Sequence, residues 1–137
     1  MPIPPDFERH TRSSPLTGPW EPIYARRTAD RWRLGLIIRP EHTNSRGLLH
    51  GGLIAALADN AMGLSLGVVL ESQGRAPSKG IVTTSLAVDY LGRATLEQWL
   101  EFDTNFVHAG GSSGVTQALI TADGDIIARA NAAFRFS

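Results

Sequence analysis

The stretch Asn44–Leu66, NSRGLLHGGLIAALADNAMGLSL, decides how this chain folds and where its chemistry lies. His50, Gly51 and Gly52 stand directly before a long apolar run, and one acid, Asp59, sits inside it. A purely structural helix avoids these choices. Glycine is a poor helix former, and a carboxylate is costly on a buried face. The run reads as one buried helix from about Gly51 to Ser72, stopped by Gly74. His50, Asp59, Asn60 and several glycines break the segment Leu48 to Leu70, which argues against a membrane span.

Backbone N–H groups at a helix start lack intrahelical partners and carry positive dipole charge. Glycine there lets another molecule approach the backbone closely. Gly51 and Gly52 are therefore candidates for an oxyanion hole, a place for a carbonyl oxygen that turns negative during reaction. A plain Gly-rich turn is the competing reading of HGG taken alone. Asp59 follows His50 by nine residues, roughly 180° round a helix and about 13 Å along it. Within one helix, the acid and the Gly51 N–H cannot converge on one small reacting group. Either Asp59 is structural, bonded to a neighbour such as Asn60, or a second subunit supplies the missing half of the site. A twofold dimer does this twice by symmetry.

Outward from the helix, the chain alternates. Residues 22–40 read as two strands meeting at Ala29 and Asp30, with Trp32, Leu34, Leu36 and Ile38 on one face. After the helix, GIVTTSLAVDYLG places Val82, Thr84, Leu86, Val88 and Tyr90 on one strand face. TLEQWLEFDTNFVHAG places Leu96, Gln98, Leu100, Phe102, Thr104 and Phe106 together, with Trp99 opposite. GGSSG and DGD read as hairpin turns before and between two further strands. Two strands, a helix and four consecutive strands imply an α+β domain with an antiparallel sheet, and one helix among six strands invites the sheet to wrap around it. Residues 1–20 are Pro-rich and polar, an arm with a helical turn expected near Asp6 to His10. Residues 21–137 form one domain.

Composition narrows the function. A formal net charge of zero speaks against a nucleic-acid partner, which usually demands an excess of Lys and Arg. Without cysteine there is no disulfide, thiol nucleophile or Cys-based zinc site. His10, His42, His50 and His108 form no ligand set, so no metal is expected. The N-terminus lacks an apolar signal core, and the expected setting is cytoplasmic, away from membranes. No serine sits in a nucleophile elbow, and no P-loop is present.

The pattern N-x-x-G-x-x-H-G-G, with an acid seven residues after the second glycine, resembles the hotdog-fold acyl-CoA thioesterases. It resembles in particular the phenylacetate-pathway type, the branch whose carboxylate sits in mid-helix. Asn44, Gly47, His50, Gly51, Gly52 and Asp59 match in register. Similarity continues through TTSLAVDYLGRA and ADGDIIARANAAFRF, covering about residues 35 to 136. The resemblance implies a curved antiparallel sheet wrapped around one long central helix, dimerised edge to edge. It implies a homodimer as the minimal active unit, assembled as a dimer of dimers, and hydrolysis of acyl-CoA to free acid and CoA. No cofactor is implied, CoA being part of the substrate. By the same resemblance, the Gly51 N–H polarises the thioester carbonyl, and Asp59 of the other subunit serves as general base or nucleophile. Asn44 orients the loop or the carbonyl, and His50 assists the thiol or fixes the helix start. Thr83 helps hold the attacking water, with its neighbour Thr84 as the alternative. Gly52, Thr84, Arg75, Lys79 and Arg93 are candidates for holding substrate, the cations for CoA phosphates. The relatives often carry Arg-Pro where this chain has Gly92-Arg93, and a basic residue where it reads AGGSSG. The GGSSG amides offer a backbone nest instead. By analogy the acyl group is small and aromatic, or short to medium in length. Met62, Leu57, Leu66 and the strand from Thr84 to Tyr90 are candidates for its walls, with ordinary core as the other reading. Two rivals use the same fold: a hydratase or dehydratase, whose D-x-x-x-x-H pattern is missing, and a non-catalytic acyl-CoA binding module.

Overall fold

The computed structural model describes residues 3–137. Its strands are β1 (Glu8–Arg9), β2 (Tyr24–Arg27), β3 (Trp32–Ile37), β4 (Ile81–Tyr90), β5 (Trp99–Ala109), β6 (Ser113–Ala122) and β7 (Asp125–Phe136). One long helix, α1 (Gly51–Ser72), separates β3 from β4. Every strand pairing is antiparallel, in the order β1-β2-β3-β5-β6-β7-β4. The helix packs against β3, β4, β5, β6 and β7.

The expected sheet that curves round and wraps the helix is corrected by this topology. The α+β class, the antiparallel sheet and the single long helix are present, but the sheet is open. Among the described residues its ends, β1 and β4, pair with nothing beyond β2 and β7. Closure would need the ten-residue β4 to find a partner at the far edge, and β1 offers only two residues there. The helical turn expected near Asp6 to His10 is also corrected. Glu8 and Arg9 are extended and pair with Ala25 and Tyr24, adding a seventh strand.

The core follows the two periodicities. Alternate residues Leu34 and Leu36 of β3, Leu100, Phe102 and Thr104 of β5, and Ala128, Ala130, Ala132 and Phe134 of β7 are buried. They meet Leu53, Ile54, Leu57, Ala58, Ala61, Met62, Leu66 and Leu70 of α1. Each large aliphatic side chain so buried contributes about 1.5–3 kcal/mol. The helix stops as its sequence demands: Gly74 takes φ 70°, and the N–H groups of Gly74 and Arg75 bond the carbonyls of Glu71 and Leu70. By composition alone α1 is long and apolar enough to cross a bilayer. Here it forms the centre of the core.

Two bulges shift the alternation. Asn105 is unpaired in β5, which turns Phe106 out to solvent instead of continuing the buried face of Thr104. Thr84 is unpaired in β4. Leu96 and Gln98 precede β5, and Leu96 is exposed. On the other face of the sheet, Trp99 packs edge-on against Phe7 and lies across Gly35, where a Cβ would come within 2.2 Å of its ring. The N-terminal segment thereby covers that end of the sheet.

Candidate active site

At the start of α1, His50 is extended, with φ −73° and ψ 129°, and acts as the N-cap. Its Nδ1 accepts the Gly52 N–H at 2.8 Å, taking the place of the usual Ser or Asp oxygen. The Gly52 amide is thus occupied. The Gly51 N–H has no hydrogen-bond partner among the described residues. Asn44 shapes the preceding loop: its Oδ1 accepts the N–H groups of Arg46 (2.9 Å) and Leu48 (3.2 Å), around Gly47 at φ 73°. The Tyr90 hydroxyl reaches back from β4 and donates to the Gly51 carbonyl at 2.7 Å. A Cβ on Gly51 would stand 3.2 Å from that ring. Gly51, Asn44, Tyr90 and Arg93 share a cavity of about 320 Å³.

Two turns on, Asp59 is half-buried and makes a different arrangement. Its Oδ1 accepts the Thr83 hydroxyl at 2.6 Å, and its Oδ2 has no partner among the described residues. The bulge at Thr84 makes this contact. Leu86, Val88 and Tyr90 pair with the buried Ala132, Ala130 and Ala128, while Thr83 pairs with the buried Phe134. The inserted residue therefore puts Thr83, not Thr84, on the face of Leu86, Val88 and Tyr90. Thr84 bonds the Ala133 carbonyl instead. This corrects the strict alternation expected for β4. Asn60 is exposed and does not bond Asp59.

Asp59 and Thr83 line a second cavity of about 510 Å³ that runs along α1. Gly51 and Asp59 lie about 12 Å apart along the helix, at 1.5 Å per residue, and they line separate cavities. One chain therefore holds two candidate half-sites, the Gly51 amide and the Asp59 carboxylate, apart from each other. An amide without a partner can stabilise a developing oxyanion. A carboxylate anchored through one oxygen can orient water or attack through the other.

The remaining expected residues divide. Arg93 lines the Gly51 cavity, and Arg46, which the sequence did not single out, joins it. Arg75 is committed elsewhere. Its guanidinium donates to the carbonyls of Gly110 (2.7 Å) and Gly111 (2.9 Å) and covers the Phe136 ring, pinning a hairpin loop to the end of α1. Lys79 is exposed beyond the helix and lines neither cavity. Leu57, Met62 and Leu66 are fully buried core residues, not cavity wall. Among the described residues, no group of His, Asp and Glu side chains is placed to hold a metal.

Two features were missed in the sequence. The Tyr90 hydroxyl bond spans 39 residues and leaves no local signal. Gly63 and Gly67 floor the larger cavity. A Cβ would meet only Phe134 at 3.5 Å and Ile81 at 3.8 Å, ordinary contact distances. Packing within the chain does not require these glycines, although each costs about 1 kcal/mol against Ala in a helix. Their spacing, one turn apart in mid-helix, was a readable signal.

A family model described as the thioesterase superfamily matches residues 46–128, which include the Gly51 amide, Asp59, Thr83 and Tyr90. The chain belongs to the thioesterase superfamily. "Putative esterase PA0474" of Pseudomonas aeruginosa is 31% identical over 135 residues, 98% of this chain and 97% of its own length. Two solved structures share the fold. A hypothetical thioesterase protein from Streptococcus pneumoniae, solved with coenzyme A, has a TM-score of 0.74 and 21% identity, covering 86% of this chain and 90% of its own. The phenylacetic acid degradation protein PaaI from Thermus thermophilus, solved as a mutant, has a TM-score of 0.75 and 18% identity, covering 90% and 98%. Membership makes this thioesterase-superfamily chain a thioester hydrolase, and the α+β fold built on one long helix is that of its solved relatives.

Proposed function

We propose that this protein hydrolyses acyl-CoA thioesters as a homodimer, each site combining the Gly51 amide of one subunit with Asp59 and Thr83 of the other. The observation that carries the proposal is Asp59 itself, held through one oxygen by Thr83 while the residue lines a cavity. Such a carboxylate in mid-helix serves no core packing. Coenzyme A in the solved Streptococcus pneumoniae relative supports CoA as the carrier here.

The exposed edge supports the dimer. β4 is ten residues long, carries Val82, Leu86 and Tyr90 exposed, and has no partner on its outer side among the described residues. Edges of this kind invite another strand, and β1, the opposite edge, is too short to do so. Antiparallel pairing of two β4 strands about a twofold axis places each helix start against the other subunit's acid. A dimer of dimers extends the same assembly.

In the reaction, the thioester carbonyl oxygen accepts the Gly51 N–H, which stabilises the charge that develops there. Asp59, with Thr83, orients a water and takes its proton as the oxygen bonds to the carbonyl carbon. Collapse of the tetrahedral intermediate breaks the C–S bond, and the proton passes to the leaving thiolate. Direct attack by Asp59, followed by hydrolysis of the mixed anhydride, gives the same products. Arg93 and Arg46 lie beside the amide and suit the CoA phosphates. The acyl group is aromatic or of short to medium length.

Thiol release from acyl-CoAs, acetyl through decanoyl with phenylacetyl and benzoyl, tests the proposal. Wild type is expected to release CoA, and Asp59→Asn to lose at least about a hundredfold in kcat, with an unchanged circular dichroism spectrum. Undiminished release by a folded Asp59→Asn protein would remove Asp59 from the mechanism.

A further inference from the structure

The cavity at Asp59 does not end there. Twelve residues of helix separate Asp59 from Glu71, about 18 Å, and both line the same groove. Asn60 and Thr83 share the near end with Asp59, and beyond them the groove surface comes from Gly63, Leu64, Gly67, Val68, Ile81 and Phe134. None of the side chains in this middle stretch offers a hydrogen bond. The far end is different. Arg12 and Arg27 each stand 5.7 Å from the Trp32 ring, and all three line the groove. Arg27 is paired with Glu71 at 2.9 Å. Arg12 has no carboxylate partner among the described residues. The groove therefore begins at a carboxylate, runs through an apolar middle and closes on an uncompensated cation.

We propose that this groove receives an elongated acyl chain bearing an anionic group at its distal end, and that Arg12 recognises that group. An ω-carboxyacyl thioester is the simplest member of the class. The inference rests on the thioesterase reading of Asp59 and names the substrate class for that site. The middle of the groove decides which part of the substrate lies there. The pantetheine arm of CoA carries amides that need partners, and the stretch beyond Asn60 and Thr83, without side-chain donors or acceptors, would leave them unsatisfied. An alkyl chain loses nothing by entering it and gains from leaving water. Arg12 then meets the chain's end in the manner of an Arg–carboxylate pair, with Trp32 holding the guanidinium in place. Gly63 and Gly67 have a reason on this account: side chains at these positions would project into the chain's path.

The test compares dodecanedioyl-CoA with dodecanoyl-CoA. Both acyl groups have twelve carbons, long enough when extended to run from Asp59 to the far cation, and only the distal end differs. Wild type is expected to prefer dodecanedioyl-CoA in kcat/KM by roughly fivefold, the scale of a partly exposed ion pair. Arg12→Ala should remove that preference, and Gly67→Leu should disfavour both thioesters against butyryl-CoA. Circular dichroism checks that each variant folds. Calorimetric binding of the two thioesters and of CoA itself to Asp59→Asn gives a readout that needs no turnover. Hydrolysis with no preference for dodecanedioyl-CoA overturns the groove assignment and leaves the thioesterase reading standing. Preferential binding of dodecanedioyl-CoA without hydrolysis by wild type does the reverse. If Arg12→Ala weakens CoA itself as much as dodecanedioyl-CoA, the cation serves the carrier's phosphates and the proposal fails.

Discussion

The two half-sites on α1 are built in opposite ways. At the helix start, the chain's own hydrogen bonds fix every element: His50 takes the Gly52 amide, Asn44 shapes the loop and Tyr90 holds the Gly51 carbonyl. One donor, the Gly51 N–H, is left over. At mid-helix, Asp59 has a single tether, Thr83, on a strand whose outer edge is open. The first arrangement is preorganised and rigid, as oxyanion stabilisation requires. The second is half-enclosed, as a group that must admit water and substrate requires. On the proposed mechanism, the difference teaches that the chain completes its electrophile-binding half alone and leaves the acid half to be roofed by something else.

The largest effect is expected from removing the leftover donor. Gly51→Pro deletes the N–H at the first helical position, where proline is tolerated. The residue before it is already extended, as a pre-proline residue must be. Tyr90 must give way by a few tenths of an ångström. The helix should therefore persist by circular dichroism while kcat falls by about 10²–10³, the loss typical of one oxyanion donor. Mixing equal amounts of Gly51→Pro and Asp59→Asn under free subunit exchange should restore roughly a quarter of wild-type activity, since half the dimers are mixed and each has one intact site of two. No rescue after demonstrated exchange would place both halves in one chain and break the comparison.

A smaller loss is expected at the tether. Thr83→Val keeps the β-branched shape and removes the hydroxyl that meets Asp59 at 2.6 Å. A hydrogen bond to a carboxylate contributes about 1.5–3 kcal/mol when enclosed and less at an exposed threonine. About a tenfold fall in kcat follows. Thr84→Val, one residue along on the bulge, should leave kcat within about twofold, because its hydroxyl bonds backbone. Equal losses at both positions would mean that the strand, not the tether, carries the effect.

The sequence made much of this legible. Gly51, Ser72 and Gly74 could be read as helix start, end and stop because capping chemistry is local. The angular offset between His50 and Asp59 anticipated that the Gly51 amide and the acid would line separate cavities, because helix geometry is fixed. The bulges were not legible. Whether Thr83 or Thr84 faces α1 depends on how β4 registers against β7, and no residue within β4 announces the extra position. The openness of the sheet escaped for a related reason: strand count says nothing of whether the edges meet. Arg75 looked like a phosphate ligand because its partners, the Gly110 and Gly111 carbonyls, lie 35 and 36 residues away.

The smallest effect lies behind the helix start, at His42. The ring is fully buried; Nδ1 accepts the Arg39 N–H at 2.9 Å, and Nε2 stands 2.8 Å from the Trp20 carbonyl. Burial, as the largest influence, pushes its pKa below the ordinary value of 6.5. The Trp20 carbonyl and Glu41 oppose this, and Arg39 reinforces it. Protons therefore bind the unfolded chain more readily than the folded one, so stability is full above about pH 6.5 and falls as pH drops through that value. His10 is shifted the same way, by burial first and then by Arg12. The melting temperature should thus decline between about pH 8 and about pH 5.5. His42→Asn should melt lower at the alkaline end, having lost part of its buried network, yet show a shallower decline. Because His42 also accepts the His50 N–H through its carbonyl, the same variant reports on the helix start. If that half-site is as rigid as its hydrogen bonds imply, acidification should loosen it before it disturbs Asp59 and Thr83. Hydrogen exchange at Leu53 and Ile54, whose N–H groups bond the His50 carbonyl, would then rise with falling pH in wild type and less in His42→Asn. An equal rise in both proteins would remove His42 as the cause.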